Sequence, residues 1–132
     1  MAAADRPIAK PRPVYLNLFA IRQPVAAITS IIHRASGALL FVAGIPLLLW
    51  FVQRSLASPE GFAAAMAPFT SPLGKLTLLV LTWCYLFHLF AGLRHLALDL
   101  HIGIELAPAR SSAAVVLVLS IILGLIVAVR LW

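Results

Sequence analysis

The stretch His88-Leu-Phe-Ala-Gly92-Leu-Arg94-His95-Leu-Ala-Leu-Asp99 lies at the end of a long apolar run that begins near Leu76. On a helix, His88, Gly92, His95 and Asp99 fall at i, i+4, i+7 and i+11, so they form one stripe. The run from about Leu76 to Leu98 is long enough to cross a hydrocarbon core of about 30 Å. A histidine inside such a span is costly and is by default a functional-site hypothesis. Gly92, one turn from His88, leaves room where a flat, bulky group can lie. An imidazole beside such a gap has the chemistry of a haem-iron ligand. It equally has the chemistry of interhelical hydrogen-bonding glue.

The rest of the chain supports a membrane setting. Of its 132 residues, 63% are hydrophobic and 11% charged, and its mean hydropathy is +1.05. A soluble domain carries about 25% charged residues. Two further apolar spans flank the first, at about 31–52 and 113–129. Each has the length of a transmembrane helix, about 17–25 residues. Residues 1–30 form a separate N-terminal segment, with residues 31–132 as the three-helix transmembrane domain. Residues 1–22 are polar and rich in proline and are expected to be extended or irregular. Met1 to Pro13 has no apolar core and no cleavage pattern, so it does not read as a secretory signal. Pro24 is placed to open a short interfacial helix that leads into the first span. Between spans one and two, Ser58 and Pro59 read as the cap and first residue of a short surface helix over Glu60 to Met66.

The net charge of +6 does not mark a nucleic-acid surface, because the Lys and Arg residues lie outside the apolar runs and form no patch. They flank the spans instead. Arg6, Lys10, Arg12, Arg22, Arg34, Arg94 and Arg110 fall on one side of the membrane. Arg54, Lys75 and Arg130 fall on the other. The positive-inside rule then puts the N-terminus in the cytoplasm and the C-terminus in the periplasm. The chain is expected to be a multi-pass protein of the bacterial inner membrane. One cysteine, Cys84, allows no intrachain disulfide, and a buried thiol there reads as a small hydrophobe.

A second polar constellation is Ser30-Ile-Ile-His33-Arg34-Ala-Ser36-Gly37. Ser30, His33, Arg34 and Gly37 share a helix face. Together they make a site for an anion or a carbonyl. Alternatively, Arg34 snorkels to headgroups and Ser30 caps the helix. His88 lies about 20 Å into its span at 1.5 Å per residue. His95 lies about 10 Å further on, at the cytoplasmic edge with His33, Arg34 and Arg94. Iron bound at His88 would place carboxylates of a haem toward those cations. His88 is the one histidine read at depth, so a second axial ligand would have to come from another subunit. Asp99 reads as a pairing candidate for Arg94 or His95, or as a cap at the end of the helix. The sequence contains no phosphate loop, no carboxylate pair within a span and no His-x-x-x-His element. The chain alone is therefore not expected to catalyse a covalent step.

Arg12-Pro13-Val14-Tyr15-Leu16, Ser58-Pro59-Glu60-Gly61-Phe62 and the two polar elements resemble, in order, the cytochrome b membrane-anchor subunits of succinate dehydrogenase. These are the larger anchors of respiratory complex II, and the likeness is closest to the proteobacterial branch. The resemblance implies an all-α integral membrane protein of three transmembrane helices, bundled with a second, small anchor subunit. It implies haem b, with His88 as one axial ligand and the other from the small anchor. It implies that Ser30 and Arg34 serve ubiquinone, and that His33, Arg34 and His95 sit near the haem propionates. The implied partners are the small anchor, an iron–sulfur subunit and a flavoprotein subunit. A fumarate reductase-type anchor and a cofactor-free membrane dock are the alternatives.

Overall fold

The computed structural model describes Asn17 and residues 20–132. The expectations for Met1 to Pro13, including the placement of Arg6, Lys10 and Arg12, lie outside the described residues. Among the described residues the structure is wholly helical.

The first long helix comprises α1 (Val25–Leu39), a π-helical turn (Leu40–Gly44) and α2 (Ile45–Ala57). Together they make one apolar element of 33 residues. Pro24 is the N-cap of α1 rather than its first helical residue. The interfacial lead-in helix and the first span are therefore one continuous helix. Its hydrogen-bond ladder changes register before Pro46. The Ile45 amide bonds the Leu40 carbonyl five residues back. Proline has no amide hydrogen, and its ring crowds the carbonyl four residues earlier, so an interior proline requires such a local adjustment.

Ser58 ends this helix and caps α3 (Pro59–Met66), its hydroxyl accepting from the Gly61 amide at 3.0 Å. A 3-10 turn (Ala67–Thr70) leads to Ser71, which caps α4 (Pro72–Asp99) through the Gly74 amide at 3.1 Å. A tight turn then reverses the chain into α5 (Leu106–Leu131). The three long helices are all apolar enough to cross a membrane.

α1, α4 and α5 pack against one another. The centre of this packing is Phe87, Ala91 and Val116, with Ile32, Trp83, Phe90 and Leu117 around it. Lipid is as apolar as leucine, so helices associate in it through close fit and polar links. Both are present. Ala113, Ser120 and Gly124 on α5 are buried and small, and Trp83 of α4 packs against Gly124. Arg94 of α4 donates from Nε to the Ser112 hydroxyl (3.0 Å) and from Nη2 to the Ala109 carbonyl (3.1 Å) of α5. At the opposite end, the Lys75 ammonium lies 5.5 Å from the Trp132 ring centre, a cation–π contact.

Most of the apolar surface faces outward. Phe41 and Val42 are each 72% exposed. So much bare hydrocarbon is stable only against acyl chains or other apolar helices.

Candidate functional site: an imidazole stack between α1 and α4

His33 sits three turns into the first long helix, and His88 lies about 17 Å before the end of α4. The antiparallel packing of α1 on α4 brings them together. Their rings stack, with centroids 4.1 Å apart and planes 17° from parallel. His95 also approaches the His33 ring, with centroids 5.1 Å apart and planes tilted by 42°. His33 therefore contacts both imidazoles of α4.

The His88 ring is held by main chain. Its Nδ1 lies 3.0 Å from the His33 carbonyl oxygen. A carbonyl only accepts, so Nδ1 carries the proton and donates. Ser36, itself buried, donates to the same carbonyl at 2.9 Å, and its Oγ is 3.4 Å from His88 Nδ1. Neutral His88 with its proton on Nδ1 keeps its Nε2 lone pair. Ligating histidines are held in this manner, the second ring nitrogen donating to a carbonyl or carboxylate.

The stack is compatible with ligation. A metal binds in the plane of the imidazole, along the Nε2 lone pair, whereas His33 covers a face of the ring. His33 Nε2 is buried and has no hydrogen-bond partner. An orphaned nitrogen of this kind is a costly group awaiting a partner. These features fit a haem held at His88 with a polar substituent near His33.

Arg34 bonds Ser30 through Nη2 at 3.2 Å. That bond uses a lone pair of Ser30 Oγ and leaves its O–H free to donate. The pair lies on α1 beside the stack, with the guanidinium exposed.

Three sequence readings change. Gly92 does not leave an empty slot beside His88, because the neighbouring flat group is the His33 ring, whose Nε2 lies 3.7 Å from where a Gly92 Cβ would stand. Arg94 is committed to α5 and is not grouped with Arg34. Asp99 is exposed at the end of α4, and no ion pair forms among the described residues. Ser36 has no role in the sequence reading, and Gly37 appears there only as the small residue on the Ser30–His33–Arg34 face, not as a contact of His88. Their signal was present in the His33 motif, where Ser36 follows one helical turn later and can reach back to the His33 carbonyl.

Comparison with known proteins bears on this geometry. Residues 8–127 match the family described as succinate dehydrogenase/fumarate reductase transmembrane subunit. The chain belongs to this family. Two relatives carry the name succinate dehydrogenase cytochrome b556 subunit. That of Paracoccus denitrificans is 39% identical over 115 residues, covering 87% of this chain and 88% of the relative. That of Coxiella burnetii is 38% identical over 122 residues, covering 92% and 97%. Membership of the succinate dehydrogenase/fumarate reductase transmembrane family agrees with the three apolar helices and with a multi-pass protein of the bacterial inner membrane.

Proposed function

We propose that this chain is the larger membrane anchor of a succinate:ubiquinone oxidoreductase. In this reading it supplies His88 as one axial ligand to haem b and Ser30 with Arg34 to the ubiquinone site. The observation that carries it is the His88 Nδ1 bond to the His33 carbonyl, which keeps Nε2 available at membrane depth. The b556 name of both relatives supports a b-type haem. A cofactor-free dock would leave the ordered imidazole stack and the orphaned His33 nitrogen without a purpose.

The residues divide the work as follows. His88 Nε2 would hold the iron. His33 and His95 would hydrogen-bond its carboxylates, with Arg34 adding a fixed positive charge. Haem b, when bound, supplies one-electron storage. A small anchor subunit would supply the second histidine, and electrons would arrive through iron–sulfur and flavoprotein partners.

Ubiquinone takes two electrons and two protons to become ubiquinol. The free Ser30 O–H donates to a quinone carbonyl and orients it. The Arg34 guanidinium beside Ser30 stabilises the negative charge that develops on that oxygen as electrons arrive. Positive-inside orientation places this site at the cytoplasmic face, with the Lys75–Trp132 end in the periplasm.

The test uses the whole complex purified from membranes. Ser30→Ala and Arg34→Ala are each expected to lower succinate–ubiquinone activity by about 100-fold, the range for loss of one oriented donor. Succinate oxidation by an artificial dye should persist. Normal quinone turnover in both variants would overturn the quinone assignment. His88→Ala should abolish the low-spin b-type spectrum, and an unperturbed spectrum would overturn the ligand assignment.

A further inference from the structure

We propose that Gly37 is a positioning residue for His88, the floor of a seat that fixes the direction of its Nε2. The inference rests on His88 as haem ligand and adds how this chain aims it.

Three walls define the seat. The His33 carbonyl and Ser36 Oγ anchor Nδ1 from one side, at 3.0 and 3.4 Å. The His33 ring covers one face at 4.1 Å. The third wall is the α1 backbone at Gly37. A Cβ added there would stand 2.6 Å from His88 Cε1, 3.1 Å from Nδ1 and 3.5 Å from Nε2. The first distance is well inside van der Waals contact, so the ring or the helix would have to move.

The ring has little freedom to yield. Imidazole is rigid, and sliding it sideways breaks the Nδ1 anchor. Turning it about the bond to the backbone reorients Nε2 and tilts it against His33. Moving α1 away instead disrupts the packing around Ile32 and Phe87. Gly37 is therefore needed for the space at the ring edge, not for backbone freedom, since it lies within regular helix. Gly44, in the same long helix, is a matched contrast. The tightest contact of a Cβ there is Leu40 Cδ2, at 3.2 Å, the movable end of a flexible side chain, with Leu40 Cβ and Leu81 Cδ2 at ordinary contact distances of 3.7 and 3.9 Å.

The experiment measures haem content per flavin, the low-spin ferric EPR signal and the haem midpoint potential in the purified four-subunit complex. Gly37→Ala is expected to weaken haem retention about tenfold, the scale on which outer-shell changes act, and to shift the EPR signal of what remains. Gly44→Ala is expected to keep haem and signal unchanged. Wild-type haem and signal in Gly37→Ala overturns the seat, as does an equal loss in Gly44→Ala. Should Gly37→Ala fail to assemble, Ser36→Ala decides. It removes a hydroxyl that shares the His33 carbonyl without adding bulk. The carbonyl then accepts from His88 and the helix ladder without competition from the hydroxyl, the ring becomes more electron-rich, and the potential falls. An unchanged potential in Ser36→Ala would overturn the proposal in that case. His88→Ala, run in parallel, separates the two levels. Haem unperturbed by His88→Ala sinks the ligand reading, whereas haem lost there but intact in Gly37→Ala sinks only the seat.

Discussion

His101 has φ of 61°, in the left-handed region. It follows the Leu100 cap of α4, and two bonds close the turn around it. The His101 amide donates to the Leu98 carbonyl, and the Ile102 amide to the Ala97 carbonyl, both at 2.9 Å. This is the Schellman closure, in which glycine usually takes the left-handed position. A branched side chain tolerates it poorly. His101→Val is expected to destabilise the α4–α5 turn by about 1–2 kcal/mol, and His101→Gly to be neutral or slightly stabilising. Thermal unfolding of the detergent-solubilised complex checks both, and equal midpoints would count against the turn assignment. At this scale the sequence was partly legible. His88 stood out because imidazole is rare in a span. The partners that orient it did not, because one is a main-chain carbonyl and another is the space left by a glycine.

Helix caps were the most legible elements. Ser58-Pro59 marked the start of α3, and the structure places Ser58 Oγ on the Gly61 amide. Glu60, in the first turn, has its carboxyl held below the ordinary range by its own backbone amide and then by the Ser58 hydroxyl. A lowered folded-state pKa contributes stability above the unfolded value, and that contribution is lost as pH falls through the folded one. Acidification below the usual glutamate range should therefore loosen the first turn of α3. Ser58→Ala should loosen it at neutral pH by about 1 kcal/mol. Hydrogen exchange of the Gly61–Ala65 amides, corrected for intrinsic rates, reads both effects, and unchanged protection in Ser58→Ala would refute the cap's role. Less legible was the junction of α1 and α2. Pro46 signalled a disturbance, but proline allows a kink, a break or a wider turn. Only the backbone path shows that a π-turn absorbs it.

Across the whole molecule, α4 and α5 are joined by fit rather than by area. Trp83 lies against Gly124, where a Cβ would stand 2.9 Å from its Cδ1. Gly124→Leu is expected to force the helices apart at a cost of about 1–3 kcal/mol, lowering the unfolding temperature while leaving the imidazole stack, on another part of α4, spectroscopically intact. A haem spectrum altered as strongly as by Gly37→Ala would show that the two contacts are not independent.

Composition and the length of three apolar runs determined by themselves that this chain crosses a membrane as helices, because a spanning backbone must satisfy its own hydrogen bonds. Spacing within one helix determined that Ser30 and Arg34 meet, one turn apart. The tertiary structure alone decided that His33 stacks on His88, that Arg94 is spent on α5, and that Gly37 touches the ring edge. Those contacts join residues of different helices, 51 to 55 positions apart for His88 with Gly37 and His33. Periodicity assigns each residue a face of its own helix, but the rotation and height at which two helices meet are set by the small residues and polar links between them.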